Sequence, residues 1–243
     1  MHRIGDLALV ALDLRSERSQ NQVMSPETWN RVQHWMEAAL REKQPAGSRQ
    51  GQSCRHLLVL SGIPIVNANL TLLEAVLEIS PGIQRIEDDL KDQWLSRAHQ
   101  QERLRFIHLL FWFSKQSGCR VTLVSGDAHM AFWGYLQAAR DPGSRRETQV
   151  INQLTSSAMV NLPPPALVIY MMEKILGEKI EEVDSGITAR LLKFPGTSRC
   201  IIGARNWLSL TLDDRLSIGV EWYVEGEAKP FAQFIHPVSS LPD

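Results

Sequence analysis

The run Arg120–Met130, RVTLVSGDAHM, constrains the chain most. Val121, Thr122, Leu123 and Val124 join β-branching to an almost unbroken apolar stretch, the pattern of a buried strand inside a layered fold. The strand runs into Ser125-Gly126-Asp127-Ala128-His129. Glycine lets the backbone turn sharply there and approach a ligand closely. Open sheets collect ligands at the carboxyl ends of their strands. Asp127 and His129 bring to that place the oxygen and nitrogen donors that a divalent zinc, manganese or iron ion accepts. An ordinary Gly-Asp turn beside a structural histidine is the competing reading.

Further strands follow from the same signals. Ile4–Leu14 alternates and is β-branched, His56–Val66 is a second buried run ended by Gly62 and Pro64, and Thr148–Leu154 is a third. Helices are predicted from Ser25-Pro26, with Val32, Trp35, Met36, Ala39 and Leu40 on one face, and across Ile86–Phe113 and Ala166–Leu176. Ile86, Leu90, Trp94, Leu104, Ile107, Leu110 and Phe111 are the inward positions of the second of these. The fold class is α/β, with the strands Ile4–Leu12, His56–Ile65, Val121–Ser125 and Thr148–Leu154 forming one helix-covered sheet.

Two other groups of residues end these strands. Asp13-Leu14-Arg15-Ser16-Glu17-Arg18 sets two arginines beside acids. Arg15 and Arg18 can offer guanidinium forks to a phosphate while Asp13 orients one of them or supports a metal ligand from behind. An internal ion-pair corner accounts for the same residues. Thr155-Ser156-Ser157 brings hydroxyls and backbone amides that can hold a phosphoryl oxygen, or simply form a turn. Asn67 and Asn69 read as turn formers, His99 and His108 as helix decoration, and His236 as a turn residue before Pro237.

The carboxyl-terminal strands Thr188–Phe194, Ser198–Leu212, Arg215–Val224 and Phe231–Ile235 predict an antiparallel meander forming a second layer, with Asp213-Asp214 as a hairpin turn. Length and composition, 243 residues and 44% hydrophobic, suit one domain spanning 1–243, with an exposed loop near 44–53. A formal charge of −1 supplies no general attraction to nucleic acid or to an anionic membrane. Apolar runs near 57–66 and 106–113 are shorter than the roughly twenty residues a membrane span needs. Three widely spaced cysteines, Cys54, Cys119 and Cys200, suggest neither a disulfide framework nor a zinc ribbon, which fits a reducing cytoplasm. The first residues leave no room for a signal peptide, in keeping with a cytoplasmic location.

The combination Asp-Leu-Arg-Ser at 13–16, Ser-Gly-Asp-Ala-His at 125–129 and Gln-Leu-Thr-Ser-Ser at 153–157 resembles the carboxyl-terminal half of the PhoD-like (alkaline phosphatase D) metallophosphatases of the calcineurin-like superfamily. Asp92-Gln93-Trp94, Glu102-Arg103 and Arg205-Asn206-Trp207 resemble family elements too. Core packing for Trp94, surface pairing for Glu102 and Arg103, and strand structure for 205–207 explain them equally. The resemblance implies a sandwich of two β-sheets flanked by helices with its amino-terminal part missing. It implies divalent metal ions (zinc, manganese, iron or calcium) and a phosphate ester substrate hydrolysed by metal-activated water. Asp127 and His129 then stand as metal ligands, Arg15, Arg18, Ser156 and Ser157 as phosphate-binding groups, and Asp13 as a supporting carboxylate.

The family's earlier ligand motifs are not found in the sequence. Gly5-Asp6 precedes a strand instead of following one, which aims that carboxylate at the wrong sheet end. Two expectations follow: part of a metallophosphatase whose other half is supplied elsewhere, or a non-catalytic relic or phosphate-binding or scaffold module on the same fold. A missing half would expose apolar surface, so self-association or pairing with an upstream half is expected.

Overall fold

The computed structural model describes residues 1–19, 21–41, 54–66, 99–139, 148–176 and 179–239. In chain order the elements are β1 (His2–Ile4), β2 (Leu7–Leu12), α1 (Pro26–Arg41), β3 (His56–Ser61), α2 (Gln100–Ser117), β4 (Arg120–Asp127), β5 (Ala131–Ala138) and β6 (Val150–Ser157). They continue with α3 (Ala166–Leu176), β7 (Ile180–Asp184), β8 (Ile187–Leu192), β9 (Ile201–Ile202), β10 (Asn206–Leu212), β11 (Ile218–Val224) and β12 (Phe231–Ile235).

The larger sheet has the order β1-β2-β3-β4-β6-β5-β8-β7, with β9 added to β5. Its centre, β2, β3, β4 and β6, is parallel. Parallel neighbours need crossovers that pack on the sheet, and α1 and α2 lie on the connections from β2 to β3 and from β3 to β4. Ala8, Val10, Leu57, Val59, Val121, Leu123 and Ile151 share a core with Trp29, Val32 and Met36 of α1 and with Phe106, Ile107, Leu110 and Phe113 of α2. Trp29 and Phe106 meet edge to face at 6.0 Å between ring centres. The alternate residues Leu58, Ala131, Trp133 and Leu154 turn the other way, onto Ile218, Val220, Trp222 and Val224 of the second sheet, β10-β11-β12. Burial on both faces explains why these strands read as apolar runs.

Local chemistry fixes the helix ends. Ser25 Oγ accepts the Thr28 N–H at the start of α1, and Glu17 accepts the Ser25 N–H and the Thr28 hydroxyl. Gly118, at φ +70, ends α2 by returning its N–H to Ser114 O.

Several expectations are corrected. The strand expected over Ile4–Leu14 is β2, Leu7–Leu12, while Ile4 ends β1, which folds back onto β2 at Gly5, whose φ of +58 suits glycine. Ala131–Ala138, a mostly apolar run, is the strand β5. The run Thr188–Phe194 contributes β8 to the larger sheet, so the meander is β10 to β12 alone, and Ser198–Leu212 is divided between β9 and β10. The hairpin at Asp213 is present, closed by Asp213 N–H to Ser217 O at 2.9 Å. Cys54 and Cys119, 65 residues apart, are joined in a disulfide between the starts of β3 and β4. Spacing along the chain hid it, because parallel pairing aligns His56 with Arg120 and so brings the preceding residues together. The cysteines therefore lend no support to a reducing compartment. The loop near 44–53, Asn67, Asn69, Ile86, Leu90 and the Asp92-Gln93-Trp94 element lie outside the described residues. No described helix is long and apolar enough to cross a membrane.

Candidate functional site

Register determines what meets at the carboxyl edge of the parallel strands. Leu12 pairs with Ser61, Leu60 with Val124, Ser125 with Thr155, and Asp127 with Ser157. Asp13, Gly62, Asp127 and Ser157 therefore end their strands at one edge. Asp13 and Asp127 are two strand spacings apart, roughly 10 Å. Asp6 N-terminally flanks β2 and accepts the Arg55 and His56 N–H groups, which puts it at the other edge, as its position before the strand implies.

At the central turn Asp127 Oδ1 accepts the backbone N–H of His129 at 2.8 Å and of Met130 at 2.9 Å. This is an Asx-type turn, in which the carboxylate fixes the backbone that carries the imidazole. Both side chains are half-buried. Asn161 Nδ2 donates to Ala128 O at 3.2 Å and ties the 158–165 segment to the same turn. One carboxylate and one imidazole are thus held two residues apart at a strand end.

Ser156 and Ser157 are gripped from the second sheet by Asn206. Its Oδ1 accepts the Ser156 hydroxyl at 2.9 Å and the Ser157 N–H at 3.1 Å, while its Nδ2 donates to Ser157 Oγ at 2.6 Å and to Ala204 O. Ser157 Oγ also donates to Ala204 O at 2.8 Å. In this structure both hydroxyls join the two sheets. Asn206 is a strand residue as read, and a fully engaged clamp as well. Its signal was a lone amide at the start of an alternating strand, too common to single out.

Beneath the edge lies a second polar group. Buried Gln153 donates from Nε2 to Ser125 Oγ at 2.8 Å, and its Oε1 accepts the Ile65 N–H at 3.0 Å. Ile65 O accepts Arg103 Nε at 3.0 Å, and Arg103 completes a two-pronged pair with Glu181 at 2.9 and 3.3 Å. Glu102 accepts the Val23 and Met24 N–H groups and the Trp29 indole N–H. Surface pairing is thus overturned for both residues, since the helix turns them toward loops that must be tied down.

The Asp13 group is engaged locally. Asp13 Oδ1 accepts the Arg15 and Ser16 N–H groups at 3.0 Å each, and Oδ2 accepts the Ser16 hydroxyl at 2.5 Å. Those donors hold its carboxyl below the usual range, led by the Ser16 hydroxyl. It braces its own turn through backbone N–H groups and the Ser16 hydroxyl, and those contacts include no arginine side chain. Arg15 is exposed. Arg18 Nη2 lies 3.4 Å from His99 Nδ1, and His99 Nε2 lies 3.0 Å from Ser19 O. Buried His99 therefore packs the 13–25 loop against α2 rather than decorating a helix. His108, the other helix histidine, pairs with Asp184 at 2.7 Å.

Among the described residues no three His, Cys, Asp or Glu side chains converge into a group that could hold a metal ion. A catalytic zinc takes three protein ligands and a structural one four. Asp127 and His129 alone do not fit a complete centre.

A family model described as PhoD related phosphatase matches residues 61–180, the segment containing Asp127, His129, Ser156 and Ser157. An uncharacterized protein of Saccharomyces cerevisiae is 24% identical over 248 residues, covering 83% of this chain and 34% of that protein. The chain thus spans about a third of that relative's length. A solved structure of PhoD is similar with a TM-score of 0.39 and 11% identity, over 98% of this chain and 43% of that one.

Proposed function

From the premise that the chain is PhoD-related across residues 61–180, we propose that it supplies one wall of a metal-dependent phosphoesterase site, on a calcineurin-like scaffold, at the carboxyl edge of its parallel strands. The observation that supports this best is the Asp127–His129 turn. It sets two donors of the right chemistry at the strand end, inside the family-matched segment, with the backbone already fixed by the Asp127 carboxylate. A divalent ion, when bound, polarises a phosphoryl group and lowers the pKa of water. What this chain's residues do is hold donors and exclude slack: Asp127 orients the turn, Asn161 anchors Ala128, and Asn206 locks the neighbouring strand end. Among the described residues no third donor joins them, so no reaction step is assigned to this set.

A second reading, a phosphate-binding or scaffold module without turnover, is favoured by the lack of a three-donor group among the described residues and by the engagement of both serine hydroxyls with Asn206. Hydrolysis of a model phosphodiester with added manganese or zinc separates the two. Turnover that falls at least ~100-fold in Asp127→Ala, equivalent to about 2.7 kcal/mol of transition-state stabilisation, supports the phosphoesterase. Phosphate binding without turnover supports the module. Turnover unaffected by Asp127→Ala removes this turn from the function.

A further inference from the structure

Between β6 and the end of α3 the chain carries no charged residue over positions 158–172. The first two turns of α3 are therefore apolar on every side, the pattern of a helix that is covered all round. Its inner face is covered, because Val168 and Met172 are buried in the core that α1 and α2 share. Its outer face is open. Leu167 and Tyr170 of that face, with Met159, Val160 and Leu162 of the preceding loop, are between 58% and 84% exposed. Asn161 ties the loop to Ala128, so this apolar face adjoins the Asp127–His129 turn. Contiguous exposed apolar surface marks contact with protein or with lipid.

Hydrogen bonding separates those two. A protein–protein interface carries about one hydrogen bond per 100–200 Å² and a polar rim. Here the polar groups are missing or turned inward. Pro163, Pro164 and Pro165 have no N–H to offer. Pro165 O accepts the Val168 and Ile169 N–H groups, while Asn161 engages Ala128 O with its side chain and Arg205 Nε with its carbonyl. Such a surface suits a phase that offers no hydrogen bonds, as the interior of a bilayer does.

Polarity also rises in order along the chain. After the apolar loop and Leu167 comes Tyr170, and one turn later exposed Lys174, whose Nζ lies 5.6 Å from the Tyr170 ring. Tyrosine and lysine are the side chains that meet lipid headgroups while apolar neighbours sit deeper. α3 has 11 residues, too few to span, which suits a helix lying at the surface of a bilayer. We infer that the apolar face of residues 159–170 docks on the surface of a lipid bilayer. Arg205 is paired with Glu225, and the formal charge of −1 adds no general attraction, so the contact is apolar insertion into zwitterionic lipid. It does not depend on the function proposed for the neighbouring turn.

Co-sedimentation of the whole chain with phosphatidylcholine vesicles, at low and at high salt, tests this. Saturable binding is expected, and it should change less than ~2-fold between the two, because apolar contact is not screened. Val160→Asp with Leu162→Asp should weaken it at least ~10-fold by removing two inserting side chains. Circular dichroism checks the fold, and Leu167→Gln with Tyr170→Gln replaces the first pair if that variant unfolds. Phe234→Ser, which removes an exposed aromatic from the second sheet, should leave binding unchanged. Without lipid the same face draws copies together, so cross-linking between copies should fall when vesicles are in excess. No saturable binding, binding lost at high salt, or binding kept by the double variant would each overturn the assignment. So would equal loss in Phe234→Ser, or copies that stay cross-linked in excess lipid, which would give the face to a second copy.

Discussion

Asn206 is 2% exposed and uses its amide in both directions, accepting at Oδ1 and donating from Nδ2. Asn206→Ala removes the amide acceptor of the Ser157 N–H and of the Ser156 hydroxyl, while Ser157 Oγ keeps Ala204 O, and each buried unsatisfied group costs about 1–3 kcal/mol. Urea denaturation should show a loss of roughly 2–4 kcal/mol by the same reckoning. A loss below ~0.5 kcal/mol would mean that water replaces the amide at no cost. His56 gives a prediction in pH. Its Nε2 lies 2.7 Å from Leu216 O, and burial pushes its pKa below the ordinary 6.5. The unfolded chain then binds the proton more readily, so His56 contributes stability above about pH 6.5 that is lost as pH falls through the folded-state value. Carboxylates held low in the fold, such as Asp13 and Glu17, act with the same sign but at more acidic pH. The urea midpoint should therefore fall between pH 7.5 and 5.5, and fall less in His56→Gln. Equal slopes would show that His56 does not titrate differently in the two states.

At the scale of elements, what could be read from the chain was what its local pattern encodes. β2, β3, β4 and β6 were legible because two-sided burial leaves apolar runs, and α1 and α3 because Pro26 and Pro163-Pro164-Pro165 punctuate their starts. β5 was not, since AFWGYLQA is apolar enough to be helix or strand, and the assignment comes from its two antiparallel neighbours. The strand-end position of Asp127 beside Ser157 was readable, while the Asn206 clamp and the Gln153–Ile65–Arg103 link were not. Those depend on contacts across 49, 88 and 38 residues that no local pattern records. The Cys54–Cys119 bond is of the same kind. In the chain-entropy account a loop of this length contributes about 4 kcal/mol. Reduction, or Cys54→Ser, should lower the urea midpoint accordingly, and an unchanged midpoint would show that the two strands are aligned without it.

For the molecule as a whole, the carboxyl edge of the parallel strands gathers two kinds of chemistry. Asp127 and His129 stand at its central turn. Beside the carboxyl edge, Met159, Val160, Leu162, Leu167 and Tyr170 are all more than half exposed. Without lipid, concentration-dependent association is the expected behaviour of such a surface, and sedimentation velocity measures it. The Asp127–His129 turn is proposed above as a metal-donor pair within a larger site. Calorimetric titration of the purified chain with zinc or manganese tests it most directly, with Asp127→Ala and His129→Ala alongside. Binding should be weaker than ~1 μM, which corresponds to about 8 kcal/mol, and either substitution should abolish it. Binding of equal strength in the wild-type chain and both variants would contradict the claim.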